Sequence, residues 1–392
     1  MNASSDKDVH RGVMTSVRCR LCAARYEVGT SAVMKRLPAR AQHLPRSQEV
    51  ALSDVVEASL SACPFCGQIQ LHGGEVPYFR EVIRAANVSQ EMLNWKRKQF
   101  AAFVERHKLQ HANVLEIGCG RGEYLEQLLL VAKNAVGIEA SLQNLISCRN
   151  AGLPVQFGYP DEGWWPEDAG RFSAFICLNF LEHALNPTDF MREIALHTAE
   201  DSVGLLEVPN GDWILRNAVS SEIMTDHLTY FTAEQIELLC RMTGFEVLDI
   251  TESFGGVILT CEVQKRKASP VDSLFAAHES VRQELVTFLR EFPANTTVVW
   301  GASHQALAAL AALPEDLMPR YIVDSASFKQ NCFAPASGIP IHPPEVLRSD
   351  SVVLAVLVMA GGYSTEVVTQ LNSFISPSVE RALFADNRVL RL

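Results

Sequence analysis

At 392 residues the chain exceeds one typical domain, and two or three are expected, with sizeable cores. A formal net charge of -11 excludes any general attraction to nucleic acid or anionic lipid, so no nucleic-acid or membrane partner is expected. Hydrophobic residues make up 48% and charged residues 20%, with no apolar run near the length that spans a bilayer. The first residues, Met1 to His10, are polar and lack the apolar core of an export signal, which points to a cytoplasmic, reducing compartment.

The first predicted element is built on Cys19-Arg-Leu-Cys22 and Cys63-Pro-Phe-Cys66, two CxxC pairs separated by polar, loop-rich sequence. Four thiolates in this pattern suit a tetrahedral zinc with no position left for water, so the metal serves folding rather than chemistry. A redox pair is the competing reading, and the absence of a thioredoxin-like βαβ context weighs against it. Cys119, Cys148, Cys177, Cys240 and Cys261 lie in apolar or turn contexts and are read as free thiols. These observations define a zinc-binding domain over 1–85.

A helix capped by Ser89 follows, with Leu93, Phe100, Phe103 and Val104 on one face. From Asn113 to about 265 apolar strands alternate with helices: Val114 to Ile117, a helix from Gly122, then Ala135 to Ile138, Ala174 to Leu178 and Val203 to Val208. Such alternation predicts an α/β fold with a parallel sheet, helices on both faces and ligand at the carboxyl ends of the strands. Gly118, Gly120 and Gly122 follow the first strand, and Glu139 closes the second, 17 residues after Gly122. Glycines let backbone approach a ligand, and an acid at the next strand end accepts hydrogen bonds from ribose hydroxyls. Asn179 falls at a later strand end.

Chemistry is expected from two segments. In Leu178-Asn-Phe-Leu-Glu-His183, His183 is either a catalytic or substrate-contacting group or a structural one. Ser221 to Thr232 contains Asp226 and His227 ahead of an aromatic pair and a helix start at Thr232. His227 near neutral pKa suits a general base, with a surface His-Asp pair before a helix as the alternative. The Trp164-Trp165 pair covers a flat ligand or splits into one core and one loop contact.

Charged, then proline-broken composition at Lys265-Arg-Lys-Ala-Ser-Pro270 marks a junction to a second α/β unit over 266–392. It holds an amphipathic helix over 274–292 and buried strands at Thr297 to Trp300, Tyr321 to Asp324 and Val352 to Met359. Gly301 opens a strand-to-helix turn that is either nucleotide-binding or purely structural.

Glu116 within the first strand and the GxGxG turn resemble motif I of class I S-adenosylmethionine (SAM) methyltransferases. The chain from Cys19 to about Leu371 is similar to bacterial sugar C-methyltransferases, which join a four-cysteine zinc domain, a SAM domain and a C-terminal Rossmann-like domain. The segment carrying most of the likeness is Tyr321-Ile-Val-Asp324 through Lys329-Gln330 to Gly338-Ile-Pro340-Ile; Glu207-Val-Pro209-Asn210 is similar to a Glu-x-Pro-Tyr step of that family. The resemblance implies a class I SAM methyltransferase domain over 86–265 with cofactor contacts from Glu116, Gly118, Gly120, Gly122, Glu139 and Asn179. It also implies His227 as base, aided by Asp226 or His183, and a nucleotide-linked ketosugar acceptor. In the family's Tyr-His-Glu-His stretch this chain has Met224, Thr225, Asp226 and His227, keeping the base and losing the phenol. An O- or N-methyltransferase of another small metabolite, or a SAM-binding subunit without turnover, are the alternatives. Nothing in the sequence gives the oligomeric state.

Overall fold

In the computed structural model, the described residues are 15–28, 33–40, 44–73, 76, 80, 88–161, 163, 165 and 171–392. The chain divides into two compact units, Met1–Lys267 and Ala268–Leu392.

The first unit opens with strands β1 (Thr15–Arg18) and β2 (Arg25–Val28), an antiparallel pair whose connecting turn carries Cys19 and Cys22. Next come β3 (Val33–Pro38), α1 (Gln48–Ser53), β4 (Val55–Ala62) and β5 (Ile69–His72), with Cys63 and Cys66 in the turn before β5. The long helix α2 (Gln90–Arg106) begins at Ser89, whose side chain accepts from the Met92 amide, and it buries Phe100, Phe103 and Val104 as the periodicity predicts. It also buries Lys96, which pairs with Glu207 and lies over the Trp95 and Tyr124 rings. Glu207 has further donors in Gln99 and Thr260, so this charge pair is satisfied inside the core.

The central sheet contains β6 (Asn113–Ile117), β7 (Asn134–Glu139), β8 (Val155–Phe157), β9 (Phe172–Leu178), β10 (Thr198–Pro209), β12 (Phe245–Ser253) and β13 (Ile258–Lys265), with the two-residue β11 (Thr229–Tyr230) outside it. Its order among the described residues is β12-β13-β10-β9-β6-β7-β8. All pairs are parallel except those of β13, which runs antiparallel to β10 and β12. Counted within the unit this is 3-2-1-4-5-7-6, and the order reverses between β6 and β9, where ligands bind in open α/β sheets. Helices α3 (Glu123–Leu129), α4 (Leu142–Asn150), α5 (Pro187–His197), α6 (Gly211–Arg216) and α7 (Ala233–Met242) connect the strands. One apolar cluster holds Leu115, Ile117, Phe175 and Cys177 of the sheet together with Cys19, Leu21, Tyr26 and Cys63. The four-cysteine segment thus shares a core with the central sheet. Short β11 adds to β5 and completes a four-stranded sheet, β11-β5-β4-β3.

The second unit starts with α8 (Asp272–Leu289) and forms a six-stranded sheet from β14 (Thr297–Trp300), β15 (Tyr321–Val323), β16 (Ile341–His342), β17 (Ala355–Val358), β18 (Glu380–Ala385) and β19 (Arg388–Arg391). The order is β16-β15-β14-β17-β18-β19, or 3-2-1-4-5-6 within the unit, parallel except for β19. Helices α9 (His304–Ala311) and α10 (Ser364–Leu371) follow β14 and β17. All ten cysteines are free thiols. Among the described residues no helix is long and apolar enough to cross a membrane.

Candidate active site

The turn after β6 carries all three predicted glycines in left-handed backbone, with φ of 66° at Gly118, 58° at Gly120 and 88° at Gly122. Their surroundings separate their roles. A Cβ on Gly122 would lie 2.2 Å from Leu153 Cδ1, so this glycine serves close packing of the helix start. A Cβ on Gly118 would lie 2.7 Å from the Phe180 ring. Around Gly120 there is open space, and this is where a ligand can meet the backbone.

Glu139 ends β7 as predicted, with its carboxylate braced before any ligand arrives: the Gly120 amide donates to Oε2 at 2.7 Å and the Ser141 amide to Oε1 at 2.8 Å. Burial pushes its pKa up to about 7, against the opposing pull of those amides. Each oxygen retains lone-pair capacity for a ribose hydroxyl. The donor set fits an adenosine-type cofactor, with open backbone at Gly120 beside a braced acid. Glu116 is buried within β6, and Asn179 is exposed at the end of β9 with φ of 48°.

Next to this turn stands the predicted chemistry. Phe180, the ring against Gly118, packs edge-on to His183, with centroids 6.4 Å apart. His183 ends a one-turn 3-10 helix, Leu181–His183, which is zipped to the distant 226–229 segment: the Leu228 amide donates to the Glu182 carbonyl at 2.9 Å. His183 Nδ1 lies 2.6 Å from the Asp226 carbonyl oxygen. A carbonyl only accepts, so Nδ1 carries the proton and Nε2 is left with its lone pair. The His227 ring lies edge-on to His183, 4.8 Å between centroids.

One member of this cluster, Glu182, has no role assigned from the sequence. Ligand atoms of Glu182, His183 and His227 all lie within 4.8 Å of one another, and Glu182 Oε1 is 3.9 Å from His183 Nε2. Glu182 is buried, and burial pushes its pKa up to about 8. Burial lowers His183 to about 4, and burial and then the neighbouring His183 lower His227 well below the ordinary histidine value. At neutral pH the resting cluster is therefore uncharged: a carboxylic acid beside two neutral imidazoles. Asp226, expected to assist His227, is buried and contributes its backbone carbonyl to His183; the carboxyl grouped with the two histidines is that of Glu182.

Other sequence features resolve into local structure. Tyr230 sits edge-on to His227, its hydroxyl accepting from the Met224 amide at 3.0 Å, so a phenol stands beside His227 although position 224 has none. Thr232 is the N-cap of α7, but its hydroxyl bonds the Gln235 side chain instead of a helix amide. Asn210 caps α6 by accepting from the Trp213 amide and donates to the Gly256 carbonyl. Trp165 stacks on His197, with centroids 4.3 Å apart, whereas Trp164 lies outside the described residues.

The four N-terminal cysteines converge. Cys19 Sγ is 3.5 Å from Cys66 Sγ, Cys22 Sγ is 3.7 Å from Cys63 Sγ, and all four lie within 4.8 Å of one another. A tetrahedral zinc with bonds of about 2.3 Å needs an edge of about 3.8 Å, so the donors fit one such ion.

Residues 88–250 match the family model of a methyltransferase domain. The fold is that of a class I SAM methyltransferase. Further along the chain, residues 262–380 match the model of a C-methyltransferase C-terminal domain. The ubiquinone biosynthesis O-methyltransferase of Bordetella avium is 29% identical over 92 residues, covering 22% of this chain and 38% of that protein. The protein of the same description from Chromobacterium violaceum is 28% identical over 96 residues, covering 23% and 41%. The chain thus spans less than half the length of these curated relatives. Among solved structures, a SAM-dependent methyltransferase from Clostridium acetobutylicum is similar over 46% of this chain and 94% of its own, at 14% identity and a TM-score of 0.38. Magnesium protoporphyrin IX methyltransferase from Synechocystis, with bound S-adenosylhomocysteine, is similar over 46% and 89%, at 14% identity and a TM-score of 0.37.

Proposed function

We propose that this protein is a SAM-dependent C-methyltransferase acting on a carbon next to a carbonyl, with a nucleotide-linked ketosugar as acceptor and a structural zinc on Cys19, Cys22, Cys63 and Cys66. The observation that carries the reading is the uncharged cluster of His227, His183 and Glu182 standing beside the glycine turn through Phe180. A carbon next to a carbonyl has no lone pair to attack with until it loses a proton, whereas an amine or thiolate already carries one, and a neutral histidine supplies the base.

Gly118, Gly120, Glu116, Glu139 and Asn179 would hold SAM, which when bound supplies an electrophilic methyl group. His227, neutral because its pKa is depressed, takes the acceptor proton. His183 cannot share the role through Nδ1, whose proton is committed to the Asp226 carbonyl; its Nε2 keeps a lone pair, and its ring packs edge-on to that of His227. The imidazolium that forms lies within 4.8 Å of Glu182, and a positive charge that close lowers the pKa of the buried acid, which releases its proton to solvent and becomes the counter-charge. Cys66 and β5 connect the proposed zinc to this site. The Cys66 carbonyl accepts from Gln235 at 3.2 Å, and β5 pairs with β11 two residues beyond His227.

The match of residues 262–380 to a C-methyltransferase C-terminal domain supports carbon as the methylated atom. The curated relatives that methylate oxygen favour a second reading, transfer to a heteroatom of a small metabolite. Mass spectrometry of reactions with methyl-labelled SAM and a panel of nucleotide-linked 4-ketosugars separates the two. A carbon-bound label that disappears with His227→Ala is the expected result. Label on oxygen or nitrogen, or transfer that survives His227→Ala, overturns the C-methylation mechanism.

A further inference from the structure

Among the described residues two groups of metal-ligating side chains converge: the four cysteines and, in the candidate active site, Glu182, His183 and His227. The second group has three properties of a prepared ligand set. First, its two imidazoles and one carboxylate place their ligand atoms within 4.8 Å of one another, with Glu182 Oε1 3.9 Å from His183 Nε2. A tetrahedral ion with bonds of about 2.1 Å needs about 3.4 Å between ligands, so side-chain rotations that shorten these separations by about 0.5 to 1.4 Å close the set. Second, one ligand is already oriented. A metal-binding histidine gives its other ring proton to a carboxylate or backbone carbonyl, which fixes its tautomer and ring plane. His183 does this: Nδ1 donates to the Asp226 carbonyl at 2.6 Å, and Nε2 keeps the lone pair that a metal accepts. Third, Glu182 Oε2 is buried and has no hydrogen-bond partner among the described residues. A buried carboxyl oxygen without a partner is costly, and a cation satisfies it.

Backbone bonds hold the three ligands in one frame. The Glu182 carbonyl accepts from the Leu228 amide at 2.9 Å and from the Thr229 hydroxyl at 3.4 Å, which ties the turn carrying Glu182 and His183 to the segment carrying His227. His227 is half-buried, so an ion reaches the cluster from its side. The donor set decides the class of ion. Magnesium and calcium take oxygen ligands, whereas two imidazoles with one carboxylate suit a divalent first-row transition metal.

We propose that Glu182, His183 and His227 form a second metal site, for a divalent first-row transition ion such as zinc, separate from the four-cysteine site and weaker than it. Binding replaces the Glu182 proton, which passes to solvent, and takes the His227 lone pair. Loss of that proton and the movement of the ligands make this site the weaker one, filled only when free metal is supplied. Three protein groups leave the fourth position of a tetrahedral ion to water. With His227 as the base, a bound ion blocks proton removal, so free metal switches methyl transfer off. That consequence rests on the function proposed above; the site itself does not.

Titration of the full chain with cobalt(II), followed by visible absorption and elemental analysis, tests the site without methyl transfer. Cobalt on nitrogen and oxygen ligands gives d-d bands alone, whereas cobalt that exchanges into the four cysteines adds a thiolate charge-transfer band. The expected result is one added cobalt per chain with d-d bands alone, displaced by zinc, and weakened about tenfold or more by Glu182→Gln, His183→Ala or His227→Ala. Circular dichroism checks the folding of each variant. Glu182→Gln, which relieves a buried acid and is expected to fold, keeps the test decisive where a histidine variant does not. No added cobalt, added cobalt with thiolate bands only, or added cobalt that the folded variants bind as tightly as the wild type overturns the proposal. If cobalt binds as expected and methyl transfer continues at saturating cobalt, the site stands and His227 falls as the base.

Discussion

Replacing Glu182 by glutamine should stabilise the protein and slow it at the same time. In the unfolded chain the carboxyl titrates near its ordinary 4.5, and in the fold near 8 because of burial. The folded state therefore binds one more proton between these values, and wild-type stability falls as pH rises through that window. At pH 7 folding must protonate the group, at a cost of about 3 kcal/mol for the two and a half pH units above 4.5. A glutamine escapes this and returns about 1 kcal/mol for amide hydrogens that gain no acceptor, so the variant should be more stable by about 2 kcal/mol at pH 7. Near pH 5 the gap should close, and between pH 5 and 8 it should widen by about 1.4 kcal/mol per pH unit. Other titrating groups, Glu139 among them, move equally in both proteins and cancel. The same change removes the counter-charge within 4.8 Å of His227, worth about 3.5 kcal/mol at an effective dielectric of about 20; ionising the acid at pH 7 costs about 1.4 kcal/mol of this, so the net loss is about 2 kcal/mol, or roughly 30-fold in kcat. Urea denaturation at several pH values, paired with single-turnover methyl transfer, tests both halves. A stability gap that does not vary with pH would refute the buried-acid argument, and unchanged turnover would refute the counter-charge.

Three further outcomes are expected. Because His227 must be neutral to act and its pKa lies well below 6.5, kcat/KM for the acceptor, measured with SAM saturating so that titration of Glu139 near 7 does not enter, should be flat around neutrality and fall only at pH below 6.5; an acid limb centred above that value under these conditions excludes His227 as the base. Gly122→Ala should destabilise by about 2–4 kcal/mol through left-handed backbone and the clash with Leu153, whereas Gly120→Ala, which meets nothing, should cost about 1–2 kcal/mol and mainly weaken SAM binding; denaturation and cofactor titration that rank the two the other way contradict this division. Cys63→Ser should lower metal content from one zinc per chain toward zero and reduce methyl transfer through β5 and β11; a variant retaining one zinc by elemental analysis excludes the four-cysteine site.

Much of this site could be read along the chain because its parts are local. The strand, the glycines and the acid before α4 occupy residues 114 to 139, where sterics decide the turn and hydrophobic alternation decides the strands. The paired cysteines likewise declare themselves by spacing. His183 and His227 stand out in the sequence, but nothing along the chain chooses between catalytic and structural roles for them, since the property that matters is their common burial. The Asp226 assignment came from adjacency in the chain, and the fold also groups the buried acid Glu182, 45 residues away, with His227.

The sequence by itself determined the α/β alternation, the glycine turn with its acid, the four-thiolate set and the break near Lys267. These depend on backbone sterics and on periodicities of a few residues. Tertiary structure alone decided that β11 extends the sheet of β5 and that Glu182 joins two neutral histidines. Each of these depends on hydrogen bonds or burial created when segments far apart in the chain are brought together, and a charge's desolvation has no value until the residues that exclude water from it have packed.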